Sequence, residues 1–113
     1  MSLTGHTAFF GDGEKIFDLT PEIIIELDRK TGIGFGAFYQ RFMAGQFHFI
    51  DIIEVLRLGL IGGGMAPAEA LALVDAYAKP RPILETFPLA LDILEAKWSG
   101  RVEPDTTNED SPA

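Results

Sequence analysis

The chain has 113 residues, enough for one domain built on a single core. Apolar residues make up 47% of it, which excludes a wholly disordered protein, and zero cysteines exclude disulfides, thiolate metal sites and a cysteine nucleophile. Acids outnumber bases 17 to 9, and the resulting charge of −8 argues against non-specific nucleic-acid binding, which needs clustered Lys and Arg to displace counterions.

Met1-Ser2-Leu3-Thr4-Gly5-His6 has neither a basic start nor an apolar run, so no signal peptide is expected. A β-hairpin is predicted over about residues 7–19, with Gly11-Asp12-Gly13 between two apolar segments and Asp-Gly supplying the positive φ angles of a tight turn. Such a hairpin is marginal alone and must pack on helices or pair with another edge. Thr20-Pro21-Glu22 then starts a helix: a capping hydroxyl, a proline where its missing N–H costs nothing, and an acid at the positive end of the dipole. It is predicted to run to about Lys30 and to stop at Gly32. Gly32, Gly34 and Gly36 read as a joint into a second helix from about Ala37 to Ala44, striped by Phe35, Phe38 and Phe42.

The third helix, from about Phe49 to Ile61, carries its charges at Asp51, Glu54 and Arg57 only. At about 100° per residue these cover roughly a third of the circumference, and a helix dry over the rest is surrounded by neighbours. It is therefore predicted to be the central helix of a bundle, and four charged or His positions in residues 47–65 exclude a membrane span. Gly59 would admit a close neighbouring backbone, and Gly62-Gly63-Gly64 would form a left-handed cap and tight turn. A fourth helix starts at Pro67 and runs to about Ala78, with Ala70, Leu73, Val74 and Tyr77 on one side. A fifth runs from about Ile83 to Ser99, with Phe87, Leu91, Leu94 and Trp98 as its stripe, and with Pro88 either bending it or lying in its first turn. The polar residues 101–113 read as a disordered acidic tail. The predicted fold is mainly α: an N-terminal β-hairpin followed by a compact bundle of about five short helices, one domain over residues 1–100.

Several constellations invite chemistry and each has a plainer reading. Gly32-Ile33-Gly34-Phe35-Gly36 lacks the Lys-Ser or Lys-Thr of a phosphate loop and reads as a hinge. His48, Asp51 and Glu54 could contribute to a metal site, but acids at a helix start also serve the dipole, and Glu54 can pair with Arg57; no metal is expected. Neither histidine belongs to a recognisable triad, so the chain reads as a non-enzyme without a cofactor. A helix-turn-helix over residues 51–78 fails on chemistry, because residues 66–78 hold no Arg, Lys, Asn or Gln to read bases. Nine Phe, two Tyr and one Trp leave two readings open: a core that uses rings for volume, or an apolar groove for another protein involving some of Phe9, Phe35, Phe47 and Phe87.

Leu56-Arg57-Leu58-Gly59-Leu60-Ile61-Gly62-Gly63-Gly64-Met65-Ala66-Pro67-Ala68-Glu69-Ala70 resembles the signature of a small tail protein family of gene transfer agents and related siphophages. The Gly-Asp-Gly-Glu hairpin, Ile25 to Asp28, Thr31-Gly32-Ile33-Gly34 and Ala90-Leu91-Asp92-Ile93-Leu94-Glu95-Ala96 are similar to it too, so the likeness spans about residues 7–100. Arg57, Gly59, Gly62, Gly63, Gly64 and Pro67 are its structural signature, although Ala66 stands where a capping Ser or Thr is expected and Pro88 is atypical. The family is labelled both tail tube protein and tail assembly chaperone. The resemblance implies a tail assembly protein that binds the tape-measure or tail tube protein in the bacterial cytoplasm during assembly, with a structural component of the virion tail as the alternative. Tube subunits of tailed phages are largely β-sandwiches joined through sheet edges, and the helical pattern here favours the chaperone. The expected contact residues are Phe35, Phe38 and Phe42 with Phe87, and the expected partners are other tail proteins, without nucleic acid or membrane.

Overall fold

The computed structural model describes residues 3–100, so the tail predicted over residues 101–113 lies outside the described residues. Two strands, β1 (Gly5–Phe10) and β2 (Gly13–Asp18), form the hairpin, and five helices come after it: α1 (Pro21–Thr31), α2 (Phe35–Met43), α3 (Phe49–Gly62), α4 (Pro67–Tyr77) and α5 (Ile83–Ser99).

The antiparallel register pairs Phe10 with Gly13, which leaves Gly11-Asp12 as a two-residue loop. The sequence put the positive φ angles at Asp12-Gly13. The structure has φ +72° at Gly11 and no positive φ at Asp12 or Gly13, so the turn is shifted by one residue, with glycine first. Gly11 also meets the Tyr77 ring at the end of α4, where any Cβ would stand 2.8 Å from Cδ2. The hairpin packs through Phe10 and Phe17, whose rings meet edge to face at 5.9 Å.

α1 begins as its sequence requires. The Ile23 N–H donates to Thr20 Oγ1 at 3.3 Å, Pro21 opens the helix, and Gly32 ends it with φ +77°, its N–H donating to the Asp28 carbonyl at 2.9 Å. α2 begins at Phe35, earlier than predicted, so Gly36 lies within the helix and not in the joint.

α3 is the axis of the molecule and packs against β2, α4, α5 and α1. No residue from position 51 to 60 is exposed. Even its charged stripe is largely enclosed: the Glu54 and Arg57 side chains are 17% and 18% exposed and meet in a two-bond ion pair of 2.7 and 3.2 Å. The prediction of a helix wet on one third only is met, and the wet third is itself half-buried.

The glycine run closes α3 as predicted, the Gly64 and Met65 N–H groups donating to the Ile61 and Leu60 carbonyls at 3.0 Å, and it has a second purpose. Gly63 has φ −80° and only Gly64 is left-handed, at φ +113°. Gly62 and Gly63 instead lie flat against β2: a Cβ on Gly62 would stand 1.8 Å from the Asp18 carbonyl oxygen, and one on Gly63 would stand 2.0 Å from that of Ile16. Gly59 faces the Phe17 side chain at 3.3 Å, so a ring and not a backbone uses its space. Helix and hairpin thus touch backbone to backbone, which only glycine permits.

α4 begins at Pro67 with Ala66 as an uncapped N-cap, and buries only Ala70 and Val74. On α5 the buried face is Thr86, Ala90, Ile93, Leu94 and Ala96, about one residue out of phase with the predicted stripe. Small Ala90 and Ala96 let this face lie close to the centre, while Phe87 and Trp98 flank it. Pro88 lies inside the helix, past its first turn.

Candidate functional site

The flank of α5 and one side of α2 form an aromatic seam. At one end the rings of Phe42, Phe47 and Phe87 stack on one another, with centroids 4.8–5.8 Å apart and interplanar angles of 10–25°. At the other, Trp98 stacks on Tyr39 at 4.9 Å and on Phe35 at 6.3 Å. The start of α2 therefore meets the end of α5, and the two helices run antiparallel. Tyr39, 4% exposed, donates its hydroxyl proton to Glu95 Oε1, and Ser99 Oγ donates to Glu95 Oε2 at 2.7 Å. These hydroxyls hold the Glu95 carboxyl below its usual range, and the same bond, with burial, pushes the Tyr39 phenol up to about 12.

Of the four predicted contact residues, Phe38 and Phe42 are 2% and 0% exposed and belong to the core. Phe35 and Phe87 are half-buried within the seam. The four share this region, but their rings are engaged with one another and with Tyr39, Phe47 and Trp98. The first of the two readings of the aromatic excess therefore accounts for Phe38 and Phe42. Helical spacing revealed their shared stripe but could not say which neighbour would cover it. Phe9 of the suggested groove lies elsewhere, 71% exposed on the outer side of the hairpin.

Apart from Ile25 and Leu71 in the middle of α1 and α4, exposed apolar surface on the helices lies near their ends. Met43, Phe49 and Ile50 flank the joint between α2 and α3 at 55%, 42% and 54% exposure. Ile83 and Leu84 crown the start of α5, one turn before Phe87. These residues sit next to caps and loops, where periodicity carries no signal.

Next to the α2–α3 joint lies a cleft of about 380 Å³ lined by Lys30, Arg41, His48, Phe38 and Ile50, with Asp51 and Glu54 deeper inside. Asp51 accepts the His48 backbone N–H at 2.8 Å, and Glu54 is held by Arg57. The trio His48, Asp51 and Glu54 is thus engaged in helix capping and ion pairing. Among the described residues no group of three or more His, Cys, Asp or Glu is placed to hold a metal ion, and no helix is long and apolar enough to cross a membrane.

The signature residues are brought together by α3 and the turn into α4: Arg57 fixes Glu54, Gly59 receives Phe17, Gly62 and Gly63 receive β2, and Gly64 turns the chain into Pro67. This is also the stretch in which the family resemblance is densest. Residues 4–100 match the model of a family described as "Phage tail tube protein, GTA-gp10". No curated protein and no solved structure matches the chain. With a match that runs from the hairpin to the end of α5, the chain belongs to the phage tail tube protein family GTA-gp10.

Proposed function

We propose that the chain acts in tail morphogenesis as an assembly chaperone, holding apolar segments of the tape-measure or tail tube protein in the bacterial cytoplasm until they enter the particle. One observation carries this reading. The only sheet among the described residues is a two-stranded hairpin, whereas large apolar side chains stand open on the ends of several helices. A tube joined through sheet edges asks for more strand than this; a binder of apolar segments asks for exposed apolar surface. The role requires no catalytic residue, metal or cofactor.

The family description favours a second reading, a structural subunit of the tail. Mass spectrometry of purified particles separates the two: a chaperone is absent, a structural subunit is present in stoichiometric copies. Co-expression with the tape-measure protein is the complementary test. A rise in its soluble yield supports the chaperone, and unchanged yield across several lengths of that protein counts against it.

A further inference from the structure

We infer that the cleft between the end of α1, α2 and the start of α3 receives a polypeptide segment carrying a carboxylate beside a large apolar side chain. This rests on the assembly-chaperone reading, in which the segment belongs to a client tail protein.

Charge complementarity selects the occupant. The chain as a whole carries −8, yet the accessible charges of this cleft are cationic. The Lys30 side chain is 40% exposed, Arg41 stands beside it on the rim, and the His48 ring, 76% exposed, adds a polar edge. The two acids are recessed, at 12% and 17% exposure, and already bonded: Asp51 to the His48 N–H, Glu54 to the Arg57 guanidinium. Lys30 reaches Glu54 only at 3.8 Å, a loose pair. Arg41 gives its Nε–H to the Gln46 carbonyl at 3.1 Å, one of the five N–H bonds a guanidinium can direct. An incoming carboxylate thus meets donors and positive charge before it meets the acids.

The walls decide against a simple anion. Ile50, 54% exposed, and the buried Phe38 line the cleft, and Phe49 and Met43 are exposed at the same α2–α3 joint. A free inorganic anion gains nothing from such walls. A peptide that places a Leu-sized side chain on Ile50 and a Glu or Asp between Lys30 and Arg41 uses both, and apolar burial supplies affinity while the charge fixes register.

The test titrates two blocked, fluorescent dodecapeptides into the full chain, one of Leu and Glu, the other with Lys in place of each Glu, and monitors anisotropy and backbone amide shifts. The expected result is saturable binding of the Glu peptide with shifts at Lys30, Arg41, His48 and Ile50, and at least tenfold weaker binding of the Lys peptide. The double variant Lys30→Glu/Arg41→Glu should lose at least tenfold toward the Glu peptide, while Lys79→Glu, whose parent lysine pairs with Asp75 on α4, should not. If the double reversal disturbs the fold, Lys30→Gln/Arg41→Gln gives the same decision. Equal binding of the two peptides, shifts centred elsewhere, no binding into the millimolar range, or unchanged affinity in the double variant overturns the proposal. Co-expression with the tape-measure protein keeps the two claims apart. Rescue that persists in the double variant removes the cleft and leaves the chaperone; peptide binding without rescue by the unaltered chain removes the chaperone and leaves the cleft.

Discussion

Two adjacent glycines decide how the hairpin meets the helices. At Gly62 and Gly63 the obstacle to a side chain is backbone oxygen at 1.8 and 2.0 Å, which cannot swing aside as a rotamer can. Gly62→Ala or Gly63→Ala should therefore force the hairpin off α3 and cost about 3 kcal/mol or more, at or beyond the upper end of ordinary overpacking. Gly64→Ala meets no atom within 4 Å and pays only for its φ of +113°, about 1–3 kcal/mol. Denaturant melts of the three variants should rank the first two below the third. A ranking led by Gly64→Ala would mean that the left-handed cap, and not the contact with β2, is the run's larger contribution. The Tyr39–Glu95 bond makes a second prediction at this scale. Glu95 has a folded pKa below its ordinary 4.5, so its contribution is present above that value and is lost as pH falls through the depressed one. Tyr39 is raised from 10.0 to about 12, so its contribution is intact below pH 10 and is lost between there and about pH 12. Tyr39→Phe should flatten both limbs of a Tm-against-pH profile while costing only about 1 kcal/mol at neutral pH, the net worth of one ordinary hydrogen bond.

Among the elements, α5 shows how far sequence reading reaches. Its boundaries were legible because Pro82 and Gly100 punctuate them, and α3 was legible because Asp51, Glu54 and Arg57 alone interrupt its apolar surface. The phase of α5 was not, because its inner face uses Ala90, Ala96 and Thr86, residues too small or too polar to stand out beside Phe87, Leu91 and Trp98. The burial of Phe38 and Phe42 was not legible for a related reason: a ring stripe on α2 looks the same whether α5 covers it or nothing does. Pro88 is the element's strain. It stands exposed inside the helix, where it withholds an N–H from the carbonyl one turn back and crowds that turn. Pro88→Ala should therefore raise stability by about 1 kcal/mol or more, since the lost rigidity of the unfolded chain offsets only about 0.4–1 kcal/mol of the gain. A lower Tm in this variant would mean that the bend at Pro88 is needed to seat Phe87 in the seam. By contrast Leu56→Ala, at 0% exposure on the central helix, should cost about 2–5 kcal/mol.

Taken whole, the molecule closes its centre and leaves its extremities apolar. The outer face of the hairpin carries Phe9 and Ile16, the α2–α3 joint carries Phe49 and Ile50, and the start of α5 carries Ile83 and Leu84. Surface of this kind adds little to folding, because side chains at roughly half exposure or more lose little contact with water when the chain folds. Its persistence on an acidic chain with a family role in tails points to contact with another polypeptide. Serine at one residue of each place, Phe9→Ser, Ile50→Ser and Leu84→Ser, should leave stability within about 0.5 kcal/mol, as surface changes do. If the α2–α3 joint is where a client docks, only Ile50→Ser should reduce the soluble yield of a co-expressed tape-measure protein. A loss with Phe9→Ser alone would move the docking surface to the hairpin, where edge pairing of strands takes over as the mode of contact. Three variants with full yield would remove all three places as the docking surface and leave the chaperone to hold its client elsewhere.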